Sequence, residues 1–197
     1  MARDRRNRLD DVISAAYRLF CEKGYEATSI SDLCEATHLT AAGLYHYIKS
    51  KEDLLNQVDV RYYERIKEAL TKKRSKKDPE EDLREFVRDM SRVILQDKNV
   101  VHFLISRGFA ETSLWEEAKA RRKEVTGFVR EKLREANPAA GDFEIKTAAF
   151  VLIGMVTWAS LWYDPEGSMS MDELGDSLYR LFAKGFLAAG AKSRSRK

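Results

Sequence analysis

Residues 38–55, "HLTAAGLYHYIKSKEDLL", combine small residues, aromatic residues that carry polar groups, and two lysines in one short stretch. No Asp or Glu occurs between residues 36 and 51. The pattern predicts a helix of about two turns over 40–47, preceded by a second short helix over about 29–36. Helices this short are unstable alone in water, so both must pack on another element. A predicted helix over about 8–23 offers an apolar face for this, formed by Val12, Ala16, Leu19 and Phe20.

Two short helices joined by a three-residue turn on a supporting helix form the helix-turn-helix arrangement, whose second short helix enters the major groove of DNA. Small residues allow the backbone to approach the duplex, aromatic polar groups donate to phosphates or lie against bases, and a lysine at the next helix start meets a phosphate. The residues that this pattern singles out are Ala41, Ala42, Gly43, Tyr45, His46 and Lys51. The alternative is that the aromatic residues are half-buried core, which we favour for Tyr47, together with Leu44. His38 is interpreted as a turn residue with a left-handed backbone.

Helical periodicity along the whole chain predicts an all-α protein of about nine helices. It has 197 residues, of which 44% are hydrophobic and 34% charged, as is typical of a globular chain. Prolines and glycines interrupt the helical periodicity, and several breaks carry a Ser followed three residues later by an acid, the capping-box pattern. These pairs are Ser29/Asp32, Ser50/Asp53, Ser113/Glu116 and Ser170/Glu173. The pattern predicts a domain boundary near residue 50. It separates an N-terminal three-helix domain, called the head, from a larger helical domain, called the body.

Several classes of function lack their sequence signatures. Two cysteines without a Cys/His cluster indicate no metal site and fit a reducing cytoplasm. No phosphate-binding glycine loop and no nucleophile with its base occurs at motif spacing, so we expect neither a cofactor nor an enzyme. Residues 147–163 are uncharged, but this run is at the lower limit for a membrane span and is interpreted as a buried helix.

Basic residues concentrate at both ends of the chain. Residues 1–8 contain four arginines, and the last six residues, "KSRSRK", contain four basic residues. Such ends are typical of arms that touch a polyanion, and solvated termini are the alternative.

Residues 19–55 resemble the N-terminal domain of the TetR family of one-component repressors. The shared features are a Phe ahead of Gly-Tyr, a Thr-Ser-Ile step, Leu-Tyr-His-Tyr and then Lys-x-x-Leu. The resemblance implies phosphate contacts from Thr28, Thr40, Tyr45, His46 and Lys51, and base contacts from Ala41, Ala42 and Gly43. These last three lack side chains for bidentate base contacts, which leaves methyl contacts, a terminal arm or DNA shape as the source of specificity. Ile48 and Lys49 also depart from the family pattern, which has Phe-Pro there.

The resemblance implies a helix-turn-helix DNA-binding domain over 1–51 and a ligand-binding and dimerisation domain over 52–197. One subunit can hardly bury the uncharged run of the eighth predicted helix (about 142–163), and the ninth (about 171–189) has small residues that permit close approach. We therefore expect a homodimer through the eighth and ninth predicted helices. A dimer presents two recognition helices, which predicts a palindromic operator in double-stranded DNA.

Large apolar residues in the body suggest a pocket for a small apolar effector, although plain core is the alternative for each one. The candidates are Phe86, Met90, Phe103, Trp158 and Trp162. Arg107, Arg121 and Arg122 could receive an anionic group, unless they are simply solvated. The stretch "WASLWYDPEGSMSMDEL" (158–174) is similar to the TetR branch that responds to acyl-CoA or sterol-derived thioesters. The leading hypothesis is a repressor released by an anionic, mostly apolar ligand, and the alternative is an activator or architectural protein without an effector.

Overall fold

The computed structural model describes residues 2–72, 78–96 and 114–194, with side chains for 7–72, 78–96 and 114–185. This part of the chain contains eight helices and no strand, which confirms the all-α prediction. The helices are α1 (Ala2–Lys23), α2 (Ile30–Thr37), α3 (Ala41–Tyr45), α4 (Lys51–Thr71), α5 (Pro79–Gln96), α6 (Trp115–Ala136), α7 (Asp142–Ala159) and α8 (Met171–Arg194). The helix predicted over about 99–108 lies outside the described residues. No helix in the described part of the chain is both long and apolar enough to cross a bilayer.

The predicted capping residues form hydrogen bonds at the N-termini of three helices. Ser29 accepts from the Asp32 amide and Asp32 accepts from the Ser29 amide, a complete capping box for α2. The pair Ser170 and Glu173 does the same for α8, with donor–acceptor distances of 3.2 and 2.8 Å. Before α4, the Ser50 hydroxyl accepts from the amide of Asp53 at 3.0 Å. Ser113, the first residue of the fourth pair, lies outside the described residues.

The chain forms two compact units, of which one contains the described residues 2–63 and 114–120, and the other contains 64–72, 78–96 and 121–194. The units divide inside α4, after Tyr63. The functional boundary between residues 51 and 52 stays a prediction.

In the first unit, α2 packs on the apolar face of α1 and carries α3 in turn. Val12, Ala16 and Phe20 are buried on α1, as are Leu33 on α2 and Leu44 on α3. The α1 helix packs on α2, and α2 packs on α3. The short helices are therefore stabilised by tertiary burial, since neither is long enough to be stable alone.

Helix α1 begins earlier than the sequence predicts, at Ala2 instead of residue 8. The arginines expected to form an extended arm therefore lie within a helix. Arg8 donates to the carbonyl oxygen of Thr37 at 3.2 Å, at the C-terminal end of α2, where a cation is favourable. The side chains of the first three arginines (Arg3, Arg5, Arg6) and the last six residues of the basic tail lie outside the described side chains.

In the second unit, α5 packs mainly on α8 and also on α7. The predicted apolar face of α5 is buried, including Leu83, Phe86 and Met90. Gly175 permits the close approach of α8, because a Cβ atom there would lie 3.2 Å from the Cα atom of Arg88.

Ion pairs line the contact between α5 and α8. Asp176 accepts from Arg88, and from Arg84 at 3.0 and 3.1 Å, while Asp172 accepts from Arg92 at 2.6 and 2.7 Å. Arg88 and Arg84 hold the pKa of the Asp176 carboxyl well below its usual range, and Arg92 likewise lowers the pKa of Asp172. These bidentate pairs fix α8 along α5.

Candidate nucleic-acid interface

The turn between α2 and α3 is set by two residues. His38 has φ 54° and ψ 36°, the left-handed conformation that stops α2, and its amide bonds back to Cys34 and Glu35 carbonyls. The Thr40 hydroxyl then caps α3 by accepting from the amide of Gly43 at 3.1 Å. The predicted role of His38 as a turn residue is therefore confirmed.

Gly43 leaves room for this cap. A Cβ atom at Gly43 would lie 3.3 Å from the Thr40 hydroxyl oxygen, which is tighter than an ordinary contact. The cap still leaves the Thr40 O–H group able to donate outward, since a hydroxyl both donates and accepts.

Helix α3 has one buried and one exposed side. Leu44 is buried and Tyr47 is half-buried, as predicted, and Ile48 is buried beside them. The exposed residues are Thr40, Ala41, Ala42, Tyr45 and His46, with Gly43 partly exposed. Tyr45 is 50% exposed, and the His46 ring lies edge-on to Tyr47 at 5.3 Å between centroids. The structure thus brings together six of the eight predicted DNA-contacting residues on the exposed side of the α3 region, within a stretch of sequence that contains no Asp or Glu.

Thr28 occupies a different place from the one expected. Its side chain is 1% exposed, and its hydroxyl donates to the carbonyl oxygen of Gly24 at 2.8 Å. A buried hydroxyl with an internal acceptor does not reach a phosphate, so the expected contact from this side chain needs correction. Thr28 instead closes the turn between α1 and α2.

Lys51 is half-buried, and its ammonium group is bonded within the protein. Its ammonium nitrogen donates to the carbonyl oxygens of Tyr25, Thr28 and Glu26 at 2.9, 3.1 and 3.4 Å. It also lies 4.3 Å from the centre of the Tyr25 ring, within the range of a cation–π interaction. The structure therefore places Lys51 against the α1–α2 turn, whereas the sequence suggested a free phosphate ligand.

Two ion pairs hold the supporting helices together. Lys23 of α1 binds Asp32 of α2 at 2.7 Å, and this pair, with the amide and hydroxyl of Ser29, lowers the pKa of the Asp32 carboxyl. Arg61 of α4 binds Asp10 of α1. Together with the Lys51 contacts, they fix α1, α2 and the start of α4 around α3.

The predicted effector residues do not form one site. Phe86 and Met90 are buried in the core of the second unit, whereas Trp158 and Trp162 are 69% and 57% exposed. Phe103 lies outside the described residues. This corrects the predicted pocket, because helical periodicity identified apolar side chains without showing which way each one faces.

The two tryptophans belong to an apolar stripe along α7 and the turn after it. Its members are Phe143, Phe150, Val151, Gly154, Trp158, Leu161 and Trp162, all exposed. On α8, Leu181 is also 65% exposed. The uncharged run at 147–163 is therefore not buried on all sides within one chain, and contiguous apolar patches of this kind mark interaction sites.

The second unit also has an open cleft of about 690 Å³ between the C-terminal half of α4 and α5. Arg65, Lys72 and Arg92 line it together with Glu68 and Asp89. Five of the nine residues that line it are charged. Among the described residues, no group of His, Cys, Asp or Glu is arranged to hold a metal ion.

Sequence reasoning missed Lys49 as a candidate contact. Its side chain is exposed, and its ammonium group takes part in no hydrogen bond or ion pair with the described residues. The signal was present, because Lys49 follows the exposed aromatic residues within the acid-free stretch.

Two protein-family models match the chain. The model described as bacterial regulatory proteins of the tetR family matches residues 12–58. The model described as the tetracyclin repressor-like C-terminal domain matches residues 76–186, which is more than half of the chain.

Curated relatives match over about a quarter of the chain. The HTH-type transcriptional repressor ComR of Escherichia coli is 45% identical over 57 residues, which is 29% of this chain and 27% of ComR. The match thus spans about a quarter of the length of this relative.

Solved structures match over most of the chain. The TetR family regulator PfmR from Thermus thermophilus is 26% identical with a TM-score of 0.75, covering 88% of this chain and 97% of PfmR. AibR in complex with isovaleryl coenzyme A and operator DNA is 26% identical with a TM-score of 0.74 and the same coverage.

Proposed function

This chain belongs to the TetR family of bacterial regulatory proteins, which are DNA-binding transcriptional regulators and not enzymes, and we propose on that premise that it is a dimeric, effector-released repressor of a palindromic operator. The observation that supports DNA contact best is the exposed side of α3 and its flanking residues, which belong to a stretch without Asp or Glu (residues 36–51). Its backbone is held by the Thr40 cap and its inner side by Leu44, so it is preorganised for a groove.

We assign the contacts on this surface by chemistry. The O–H groups of Thr40 and Tyr45 and a ring nitrogen of His46 donate to phosphate oxygens, which fixes the register of the head on the duplex. Ala41, Ala42 and Gly43 face the bases, where they offer methyl groups and close backbone approach but no bidentate hydrogen bonds. Sequence preference then depends on thymine methyl groups and DNA shape.

The apolar stripe on α7 supports the dimer. A second copy that covers Phe150, Trp158 and Trp162 would remove large apolar side chains from water, and Gly154 within the stripe permits close approach. We propose that α7 and α8 of two chains form this interface, as predicted for the eighth and ninth helices. Two heads in one dimer require two half-sites about one or more DNA turns apart.

For the effector, we propose an acyl-CoA, which is mostly apolar and carries anionic phosphates. The similarity to AibR, whose structure contains isovaleryl coenzyme A and operator DNA, supports this class. The α4–α5 cleft is lined by three cations, Arg65, Lys72 and Arg92. Lys72 and Arg92 would exchange their acidic partners, Asp89 and Asp172, for the phosphates of the effector. The effector would shift the balance between DNA-bound and released states by binding the released state more tightly.

DNA binding is tested by selecting a duplex from a random pool with the full-length protein and measuring its affinity by fluorescence anisotropy. Tyr45→Ala should weaken binding about tenfold, the value of one hydrogen bond to a charged group. Lys123→Ala, on the exposed side of α6, is the matched control and should bind like the parent. Failure to select any sequence, or a Tyr45→Ala affinity equal to that of the parent, contradicts the proposal.

The effector is tested by titrating isovaleryl-CoA and a longer acyl-CoA against the complex, with tetraphenylphosphonium as a hydrophobic cation control. The acyl-CoA that acts should raise the melting temperature and release DNA in the same concentration range. Release by the cation alone means the effector class is wrong, although a repressor still stands. If no compound changes either property, the activator or architectural alternative is favoured.

A further inference from the structure

The hydrogen bonds that Lys51 forms within the protein indicate a role other than direct DNA contact. An ammonium group has three N–H donors, and Lys51 has three carbonyl acceptors within 3.4 Å, from Tyr25, Glu26 and Thr28. The Tyr25 ring covers the same group at 4.3 Å. The hydrogen-bonding capacity of the ammonium group is therefore already used within the protein.

A phosphate contact by Lys51 would have to break this arrangement. Moving the ammonium group to DNA would leave three carbonyl oxygens without their donor and would withdraw the cation from the ring. Burial of Thr28, one of the acceptor residues, limits the access of water that could replace the lost donor. The turn between α1 and α2 would then lose its link to the start of α4.

Lys49, two residues earlier, is arranged in the opposite way. Its backbone amide donates to the Asp53 carboxylate at 2.9 Å, so the chain is fixed at this position. Its side chain is exposed and forms no hydrogen bond or ion pair with the described residues. It follows Tyr45 and His46 in the acid-free stretch, and a cation held there by a fixed backbone suits a phosphate.

We infer that Lys51 is a positioning residue that clamps the α1–α2 turn to the start of α4, and that Lys49 is the phosphate-binding cation of this surface. The inference rests on the proposed DNA binding for Lys49, whereas the clamp is a property of the free protein. The two lysines therefore have different, separable effects on binding.

The clamp is tested without DNA by ¹H–¹⁵N correlation spectra of the lysine ammonium groups in the full-length protein. The Lys51 ammonium signal should be visible and slow to exchange with water, because its protons are held by carbonyls, and the Lys49 signal should be lost to exchange. Assignment uses the single variants Lys51→Met and Lys49→Met. A Lys51 signal that exchanges as rapidly as that of Lys49 overturns the clamp.

The division of roles is tested by the salt dependence of binding to the selected duplex. Each phosphate neutralised contributes about 0.9 to the slope of log affinity against log salt concentration. Lys49→Met should lower the magnitude of this slope by about that amount, whereas Lys51→Met should weaken binding several-fold with the slope unchanged. A slope lowered in Lys51→Met, or unchanged in Lys49→Met, overturns the inference.

Lys51→Arg keeps the test decisive if Lys51→Met fails to fold. Arginine retains the charge and binds phosphate well, but its planar fork does not match three converging carbonyls. The inference expects weaker binding and a lower melting temperature for Lys51→Arg, and parental values for both would overturn it. A parent protein that binds no duplex would instead contradict the proposed function, while the spectra of the free protein still decide the clamp.

Discussion

At the residue scale, His38 and Thr40 show how single side chains position the DNA-facing surface. His38 adopts a left-handed backbone that costs an L-residue roughly 1–2 kcal/mol, although residues such as His and Asn tolerate it best. Thr40 then begins α3 with a cap that a residue without a side-chain oxygen cannot provide.

Replacing His38 with glycine should raise the free energy of unfolding by about 1 kcal/mol, because glycine adopts this conformation without the steric cost. His38→Val should lower it, since a β-branched side chain is strained there. Denaturant unfolding measures both changes. Operator affinity should be unchanged in His38→Gly. A tenfold loss of operator affinity, with no gain in stability, would mean that the imidazole contacts DNA.

Replacing Thr40 with valine should cost about 1 kcal/mol of stability through loss of the α3 cap. It should also weaken operator binding, since the outward O–H group is removed. Thr40→Ser retains the hydroxyl and serves as the control, which should stay close to the parent in both melting temperature and affinity. Equal behaviour of the valine and serine variants would exclude both roles of the hydroxyl.

At the element scale, the α5–α8 contact depends on close approach at Gly175 and on the arginine–aspartate pairs. The carboxylate of Asp176 accepts bonds from two arginines of α5, while the neighbouring glycine lets the backbones come together. The ion pairs and the close backbone approach thus stabilise the same contact, the one between α5 and α8.

Asp176→Asn should lower stability by about 2 kcal/mol near pH 7, the scale of hydrogen bonds to charged groups. The pKa of Asp176 is lowered in the folded protein, whereas that of an unfolded Asp is about 3.9. The contribution is therefore present in full above about pH 5 and is lost as the pH falls. Unfolding measured from pH 7 to 3 should show the parent approaching the variant. Glu166→Gln, on an exposed turn, is the control and should follow the parent.

At the scale of the whole molecule, the main feature is the apolar stripe on α7, which stays exposed to water in a single chain. Apolar side chains recur along it at helical spacing, from Phe143 through Phe150 to Trp158. Such a surface is costly in water unless a partner covers it.

Trp158→Asp should convert the dimer to monomers at micromolar concentration, because a charge would be buried without a partner in the interface. Sedimentation velocity measures the change, and operator affinity should fall with it because the two heads are no longer joined. Lys123→Asp, an exposed charge reversal on α6, should remain dimeric. A parent protein that sediments as a monomer would contradict the proposed interface.

Local chemistry in the sequence determined the starts of α2, α4 and α8 and the helix-turn-helix. Capping pairs such as Ser29/Asp32, the left-handed His38 and the Thr40 cap act over a few residues, so their residue types identify them. The acid-free stretch likewise identified the exposed surface, because its composition and its helical period are both local properties.

Only the tertiary structure decided where individual side chains are directed. The three carbonyls that hold Lys51 lie 23 to 26 residues earlier in the chain, so no local pattern connects them. Thr28 is internal and Trp158 and Trp162 face outward for the same reason, since burial depends on which distant helix packs on each face. Periodicity tells which residues share a face, and the packing of the helices determines whether that face meets the core, a partner or water.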